Sequence, residues 1–287
     1  LLSSDYEVIG LFTQPDKPVG RKQVLTPPHI KQFCIDSNLD IPIFQPLKLR
    51  NNEEATIEIN KLNPDFIIVA AYGQILPKEI LDIAPCINLH ASLLPKYRGA
   101  SPIQESLLND DVYTGVTSML MEEGLDSGDV LGLQYLKITS TMEVSEAFEE
   151  LSKIAAKLTI TTLDNFEKIK PMKQNESEVS YCKKIKKDDG FVNFSNAKNL
   201  YLKYKAYSYW PGVFLKSELK LKDIELIETT SLNEEGEILE IAKDFIIVGC
   251  KKGSLKIKTR VKYVLFDDFV KIAVLSLEIL GFILLIN

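Results

Sequence analysis

The chain has 287 residues, a hydrophobic fraction of 45%, a charged fraction of 26% and a net charge of -6. The length favours two domains over one core, and the composition is that of a globular protein. The acidic balance excludes a generally basic nucleic-acid binder but leaves room for a local basic face.

The start, "LLSSDYEVIGLFT", lacks a Met and carries no signal peptide, so N-terminal residues are expected to be missing. Val8–Thr13 ("VIGLFT") reads as a short strand, and "PPHIKQFCIDSNL" as a helix opened by prolines. "IPIFQP" follows as a strand, Glu53–Leu62 as a helix and "DFIIVAAYG" as a strand buried on both faces. "KEILDIA" is a short helix, "CINLH" a strand, "SPIQESLLND" a helix and "TGVTSMLM" a strand. This alternation predicts a doubly wound, mostly parallel Rossmann-like sheet.

A long helix comes next. Ser140 and Glu143 have capping-box spacing, and Val144, Ala147, Phe148, Leu151, Ile154, Ala155 and Leu158 form a stripe expected to be core. Composition shifts near residue 171, where "PMKQNESEVS" reads as a polar linker. The expected domains are therefore 1–170 and 183–287, with 171–182 between them.

Beyond the linker, "YCKKI", "FVNF", "GVFLK", "KDIELIET", "GEILEI", "DFIIVGC" and "SLKIKTR" are short, evenly spaced segments. They suggest a small antiparallel barrel, OB-like, or a sandwich. Ten lysines between 183 and 222, Lys198, Lys203 and Lys205 among them, face only Asp188, Asp189 and Glu218 over this stretch. Such a face suits nucleic acid and, equally, a solvated surface. Ala273–Ile286 is very apolar but too short at fourteen residues for a membrane span, so a buried terminal element is expected. Cys34, Cys86, Cys182 and Cys250 are far apart with no CxxC pairing, which disfavours a zinc site or disulfides and suits the reducing cytoplasm.

The chemistry concentrates in "CINLHASLLPKYRGASP", Cys86–Pro102, which holds one of only two histidines. Alternation along the strand puts Asn88 and His90 on one face. His90 sits at a strand end, where open parallel sheets bind ligands. An amide beside an imidazole can hold a developing oxyanion; a structural His bonded to backbone is the other reading. "EEGLDSGDVL" supplies Asp126 between Gly124 and Gly128. If the two strand ends share one edge of the sheet, Asp126 reaches His90 and orients it; otherwise it is an ordinary turn residue.

"NLHASLLPKYRGASPIQ", with "GLDSGDVL" placed so that Asp126 falls thirty-six residues after His90, resembles the signature of the 10-formyltetrahydrofolate-dependent formyltransferases. "FTQPDKPVGRK", "AYGQILPKEIL" and "SYWPG" make the chain similar to the branch that formylates initiator methionyl-tRNA, from residue 1 to about 260. The resemblance implies Asn88, His90 and Asp126 as the catalytic set and direct attack of an α-amine on the formyl carbon. It implies a folate contact loop at Ser92, Leu93, Leu94 and Pro95, and a second pterin wall at Tyr72, Gly73, Gln74, Ile75 and Leu76. It also implies tRNA contacts from Lys17, Arg21 and Lys22, with 10-formyltetrahydrofolate as donor, no metal, no membrane and a monomer.

Two departures stand out. The family's first strand and helix have no counterpart, so the sheet is expected to lack a central strand, and the ending is not the usual polar one. Sugar-nucleotide formyltransferases and formyltetrahydrofolate hydrolases share the "NLHxSLLPxYRG" core; the loop "PDKPVGRK" and the lysine-rich second domain favour tRNA. A non-catalytic RNA-binding protein on a decayed scaffold is disfavoured by the presence of Asn88, His90 and Asp126 together.

Overall fold

The computed structural model describes residues 4–20 and 22–258. Arg21 and the apolar stretch 273–286 lie outside the described residues. Two compact units emerge. One takes in the chain up to Pro102, Thr114–Leu136 and Glu150–Cys182; the other takes in Ile103–Tyr113, Lys137–Glu149 and the chain from Lys183.

The first unit opens with β1 (Leu11–Phe12), the hairpin β2 (Lys17–Val19) and β3 (Val24–Thr26), α1 (His29–Asp36) and β4 (Ile43–Phe44). There follow α2 (Glu53–Leu62), β5 (Ile67–Val69), α3 (Lys78–Leu81), β6 (Cys86–His90) and β7 (Arg98–Gly99). Helix α4 (Pro102–Leu108), β8 (Tyr113–Leu120), β9 (Val130–Lys137), α5 (Val144–Asp164) and β10 (Tyr181–Cys182) complete the order up to residue 182.

Local chemistry accounts for the boundaries of α2. The Asn52 side chain accepts from the Ala55 N–H, Glu53 and Glu54 occupy the positive first turn, and Asn63 ends the helix in the left-handed region at φ 48°. Its Ala55 and Ile59 pack into a core with Leu49, Val69, Leu76 and Ile80. Strand β6 is buried along its whole length, and Ile87 is completely inaccessible. Burial on both faces suits its Cys86, Ile87 and Leu89 and makes Asn88 and His90 the polar exceptions.

Parallel pairing joins β1 to β4, β5 to β6 and β7 to β10. The four-stranded sheet has the order β5-β6-β8-β9, and β1–β4 forms a separate pair. Strand β8 runs antiparallel to β6, with Ile87 opposite Leu120 and His90 opposite Thr117. The end of β8 therefore lies at the Cys86 end of β6, on the edge opposite to His90. The expectation of a shared edge fails, because strand direction follows from pairing and leaves no mark in a single strand's sequence.

Helix α5 begins at Val144, so Ser140 and Glu143 form no capping box. Both have other partners within the second unit: Glu143 accepts from the Tyr204 hydroxyl (3.1 Å), and the Ser140 carbonyl accepts from Lys205 Nζ (3.3 Å). Along the expected stripe Val144, Ala147 and Leu151 are buried, but Phe148 is 48% exposed.

The second unit contains α6 (Ala197–Tyr207), β11 (Val213–Phe214), β12 (Lys220–Leu221), β13 (Ile224–Glu228), β14 (Ile238–Ile241), β15 (Phe245–Gly249) and β16 (Ser254–Lys258). The last four strands form an antiparallel sheet ordered β13-β16-β15-β14, with Val248, Leu255 and Ile246 in its core. "FVNF" is not a strand and makes only a bridge from Phe191 to Phe214. Helix α6 has no counterpart in the sequence-based expectation; Asn196 caps it by accepting from the Asn199 N–H.

That helix also thins the expected basic face. Lys205 is 3% exposed, Lys203 donates to the carbonyls of Asp189 and Phe191, and Lys198 pairs with Asp110 at 2.7 Å. Helical winding turns Lys205 inward while Lys198 stays exposed.

Candidate active site

Residues Asn88 and His90 point to the same face of β6 and are 9% and 6% exposed. Asp126 joins them because the chain after β8 doubles back. The Met121 N–H bonds the Cys86 carbonyl (2.8 Å), the Leu120 N–H bonds the Asp129 carbonyl (2.9 Å), and the turn between them carries Asp126 to the His90 end. Gly128 is required for this return, since a Cβ there would lie 1.8 Å from the Leu120 carbonyl oxygen.

The three side chains converge. Asn88 Nδ2 donates to Asp126 Oδ1 at 3.3 Å, and Asp126 Oδ2 lies 3.7 Å from His90 Nδ1, an ion-pair distance too long for a hydrogen bond. Asp126 Oδ2 also accepts from the Gly99 N–H at 2.8 Å. On the far side of the ring, His90 Nε2 lies 2.9 Å from the Tyr97 carbonyl oxygen. A carbonyl only accepts, so Nε2 carries hydrogen and Nδ1 is the nitrogen turned to Asp126. The backbone bond of the structural reading is present, and the same ring faces a carboxylate.

Several supports of this cluster escaped the sequence reading. Tyr97 sits at φ 61° and its N–H donates to Ser180 Oγ (2.9 Å), which aims its carbonyl at His90. Gly99 sits at φ 117°, and a Cβ there would meet the Cys182 carbonyl oxygen at 2.4 Å. Gln174 donates to the carbonyls of Asp126 (2.9 Å) and Gly128 (2.8 Å) and accepts from the buried Arg98. Arg98 and Gly99 belong to the "KYRG" turn. Gln174, Ser180 and Cys182 come from the segment read as a linker, which carries no local sign of such a role.

The loops after β5 and β6 leave adjacent parallel strands at the same edge, where the register pairs Val69 with Asn88. In the first loop after the site strand, Ser92 and Leu94 are buried and Leu93 and Pro95 half-buried. Ser92 Oγ donates to the Lys96 carbonyl, and Thr117 Oγ1 donates to the Ser92 carbonyl (2.7 Å) while accepting from the Leu94 N–H (3.1 Å). In the other loop Ile75 is 63% exposed, Leu76 is core, and Gln74 accepts from the Leu49 N–H. Gly73 adopts φ 74°, and Tyr72 packs on the core with its hydroxyl unpartnered and its ionisation pushed up by burial. Leu93, Pro95 and Ile75 thus offer apolar surface to a flat heterocycle, while Ser92, Leu94, Gln74 and Leu76 hold the walls in place.

Lys17 lies on β2 and Lys22 in the turn after it, both exposed, and the loop "PDKPVGRK" takes the form of the hairpin β2–β3. Among the described residues no three His, Cys, Asp or Glu side chains are grouped to hold a metal. No helix among them is long and apolar enough to cross a membrane.

Comparison with known proteins places two family models on the chain. The model described as formyl transferase matches residues 2–163, and that of the formyl transferase C-terminal domain matches residues 184–262. The methionyl-tRNA formyltransferase of a Nitratiruptor species is 58% identical over 258 residues, covering 90% of this chain and 85% of that protein. HypX from Aquifex aeolicus in complex with tetrahydrofolic acid superposes with a TM-score of 0.61 at 18% identity, over 88% of this chain and 44% of that one. WlaRD, a sugar 3N-formyl transferase, gives a TM-score of 0.62 at 15% identity, over 90% of this chain and 100% of that one. These two likenesses speak for the fold alone.

Proposed function

The chain belongs to the formyl transferase family, and from that premise we propose that it moves the formyl group of 10-formyltetrahydrofolate onto the α-amine of initiator methionyl-tRNA. The observation that carries this reading is the convergence of Asn88, His90 and Asp126 at one strand end. Support for the acceptor comes from the relative named methionyl-tRNA formyltransferase and from the exposed Lys17 and Lys22 hairpin, which would grip the acceptor together with Arg21. Residues 183–287 would form the tRNA-binding domain, 1–170 the catalytic one and 171–182 the connection.

The reaction needs little activation of its nucleophile. A free α-amine has a pKa of ~7.7–8.0, so part of it is neutral near pH 7. Its lone pair attacks the formyl carbon, the carbonyl oxygen becomes negative, and collapse expels the folate nitrogen. One amide hydrogen of Asn88 is taken by Asp126, and the second is assigned to the oxyanion. His90, whose Nε2 hydrogen is taken by Tyr97, meets the same charge through Nδ1, as a donor once that nitrogen has accepted the amine's proton. Asp126 fixes the ring and assists the proton that leaves the amine and must reach the departing nitrogen. Folate lies against Leu93, Pro95 and Ile75.

We place the reaction in the cytoplasm, where four cysteines free of disulfides are at home, and on a single copy, since the converging groups come from one chain. Radiolabelled formyl transfer tests the assignment against charged initiator tRNA, a UDP-amino sugar and water. Transfer to the tRNA is expected; formylation of the sugar without the tRNA overturns it.

A further inference from the structure

Asp126 is held in an unusual conformation. Its φ of 49° lies in the left-handed region, which aspartate visits more readily than most non-glycine residues but which still favours glycine. Its carbonyl is held as well as its carboxylate: both amide hydrogens of Gln174 are spent on this turn, one on the carbonyl of Asp126 at 2.9 Å and one on that of Gly128 at 2.8 Å.

Gln174 is itself fixed from behind. Its Oε1 accepts from Arg98 Nε (3.0 Å) and Nη2 (2.8 Å), and the same Nη2 reaches Glu176 at 2.9 Å. Arg98 is 2% exposed, so its charge depends on these acceptors. It also stands one residue from Gly99, whose N–H holds Asp126 Oδ2. A buried cation, a neutral amide and the turn's carbonyls form one chain of bonds that ends at the carboxylate beside His90. The polarity is specific: only an amide presents an acceptor to Arg98 and two donors to the turn.

We propose that Gln174, locked by Arg98, is a positioning residue that sets the place of Asp126 relative to His90 and Asn88. The inference rests on the catalytic reading of Asp126. It assigns turnover, not substrate binding, to a residue of the connecting segment.

The test uses the full chain with Gln174→Leu and Gln174→Glu, alone and combined with Asp126→Ala, in steady-state formyl transfer with each substrate varied in turn. Gln174→Glu keeps the size and the pairing with Arg98 but turns an acceptor toward both carbonyls, so the urea midpoint of each variant is measured beside its kinetics to separate misplacement from unfolding. Misplacement by about 1 Å can cost ~10²-fold, so each single variant is expected to lose ~10- to 10²-fold in kcat, with both KM values within about twofold of wild type. On the Asp126→Ala background the same substitutions should cost less than about twofold more, because residues acting through one group are non-additive. Wild-type kcat in Gln174→Glu, or a loss that persists in full without Asp126, overturns the inference. Asp126→Ala with wild-type turnover fails at the earlier step and removes the reading of Asp126 itself.

Discussion

Replacing Thr117 by valine exchanges a hydroxyl for a methyl of nearly the same shape, deep beneath the loop that bears Leu93 and Pro95. Thr117 is completely buried opposite His90, and its hydroxyl joins β8 to the loop by accepting from the Leu94 N–H and donating to the Ser92 carbonyl. Valine removes both partners. A buried polar group deprived of its partner costs about 1–3 kcal/mol, so the two together cost about 2–6 kcal/mol. Thr117→Ser keeps the hydroxyl and gives up one methyl, about 1 kcal/mol. The hydroxyl therefore outweighs the methyl, and the two variants should separate clearly. Urea unfolding measures the difference as a lower midpoint at unchanged slope. The KM for folate should rise in the valine variant, because the loop bearing Leu93 and Pro95 loses its tie to the sheet. A valine variant as stable as wild type, or a serine variant as damaged as the valine one, refutes the reasoning.

Three other outcomes are expected. His90→Ala should lose ~10²–10³ in turnover, as removal of a charge-stabilising donor does, while equilibrium binding of folate and tRNA stays within about twofold; equally weakened binding would mark a structural histidine. Neutralising Lys17, Arg21 and Lys22 together should raise the KM for tRNA and flatten its salt dependence without changing folate affinity, and unaltered tRNA kinetics would remove the hairpin from the interface. In the second unit, bonds from Ser231 and Thr230 hold the Glu228 carboxyl well below its usual range, at about 2. A lowered native value means that its stabilisation is complete above the ordinary carboxylate range and is lost as pH falls toward about 2. A carboxyl titration by NMR with its midpoint near 4 would contradict that, and Glu228→Gln should flatten the fall in stability between those limits.

Much of the molecule was written in short stretches of chain. Helix α2 was legible to its ends, because Asn52, Glu53, Glu54 and Asn63 each satisfy or complement backbone groups a few residues away. In strand β6 the alternation that puts Asn88 beside His90 was legible, because it is a property of extended backbone. Those two and Asp126 became candidates through residue type, place along the chain and the family resemblance together.

Tertiary structure decided the rest. Asp126 reaches Asn88 across 38 positions and Gln174 reaches Asp126 across 48. Neither distance along the chain implies nearness; only the antiparallel run of β8 and the returning turn create it. The burial of Lys205 and the exposure of Phe148 likewise contradict their local patterns. The reason is physical: periodicity records how one segment meets its surroundings, whereas strand direction and the meeting of distant polar groups are set by pairing free energies summed over the whole unit.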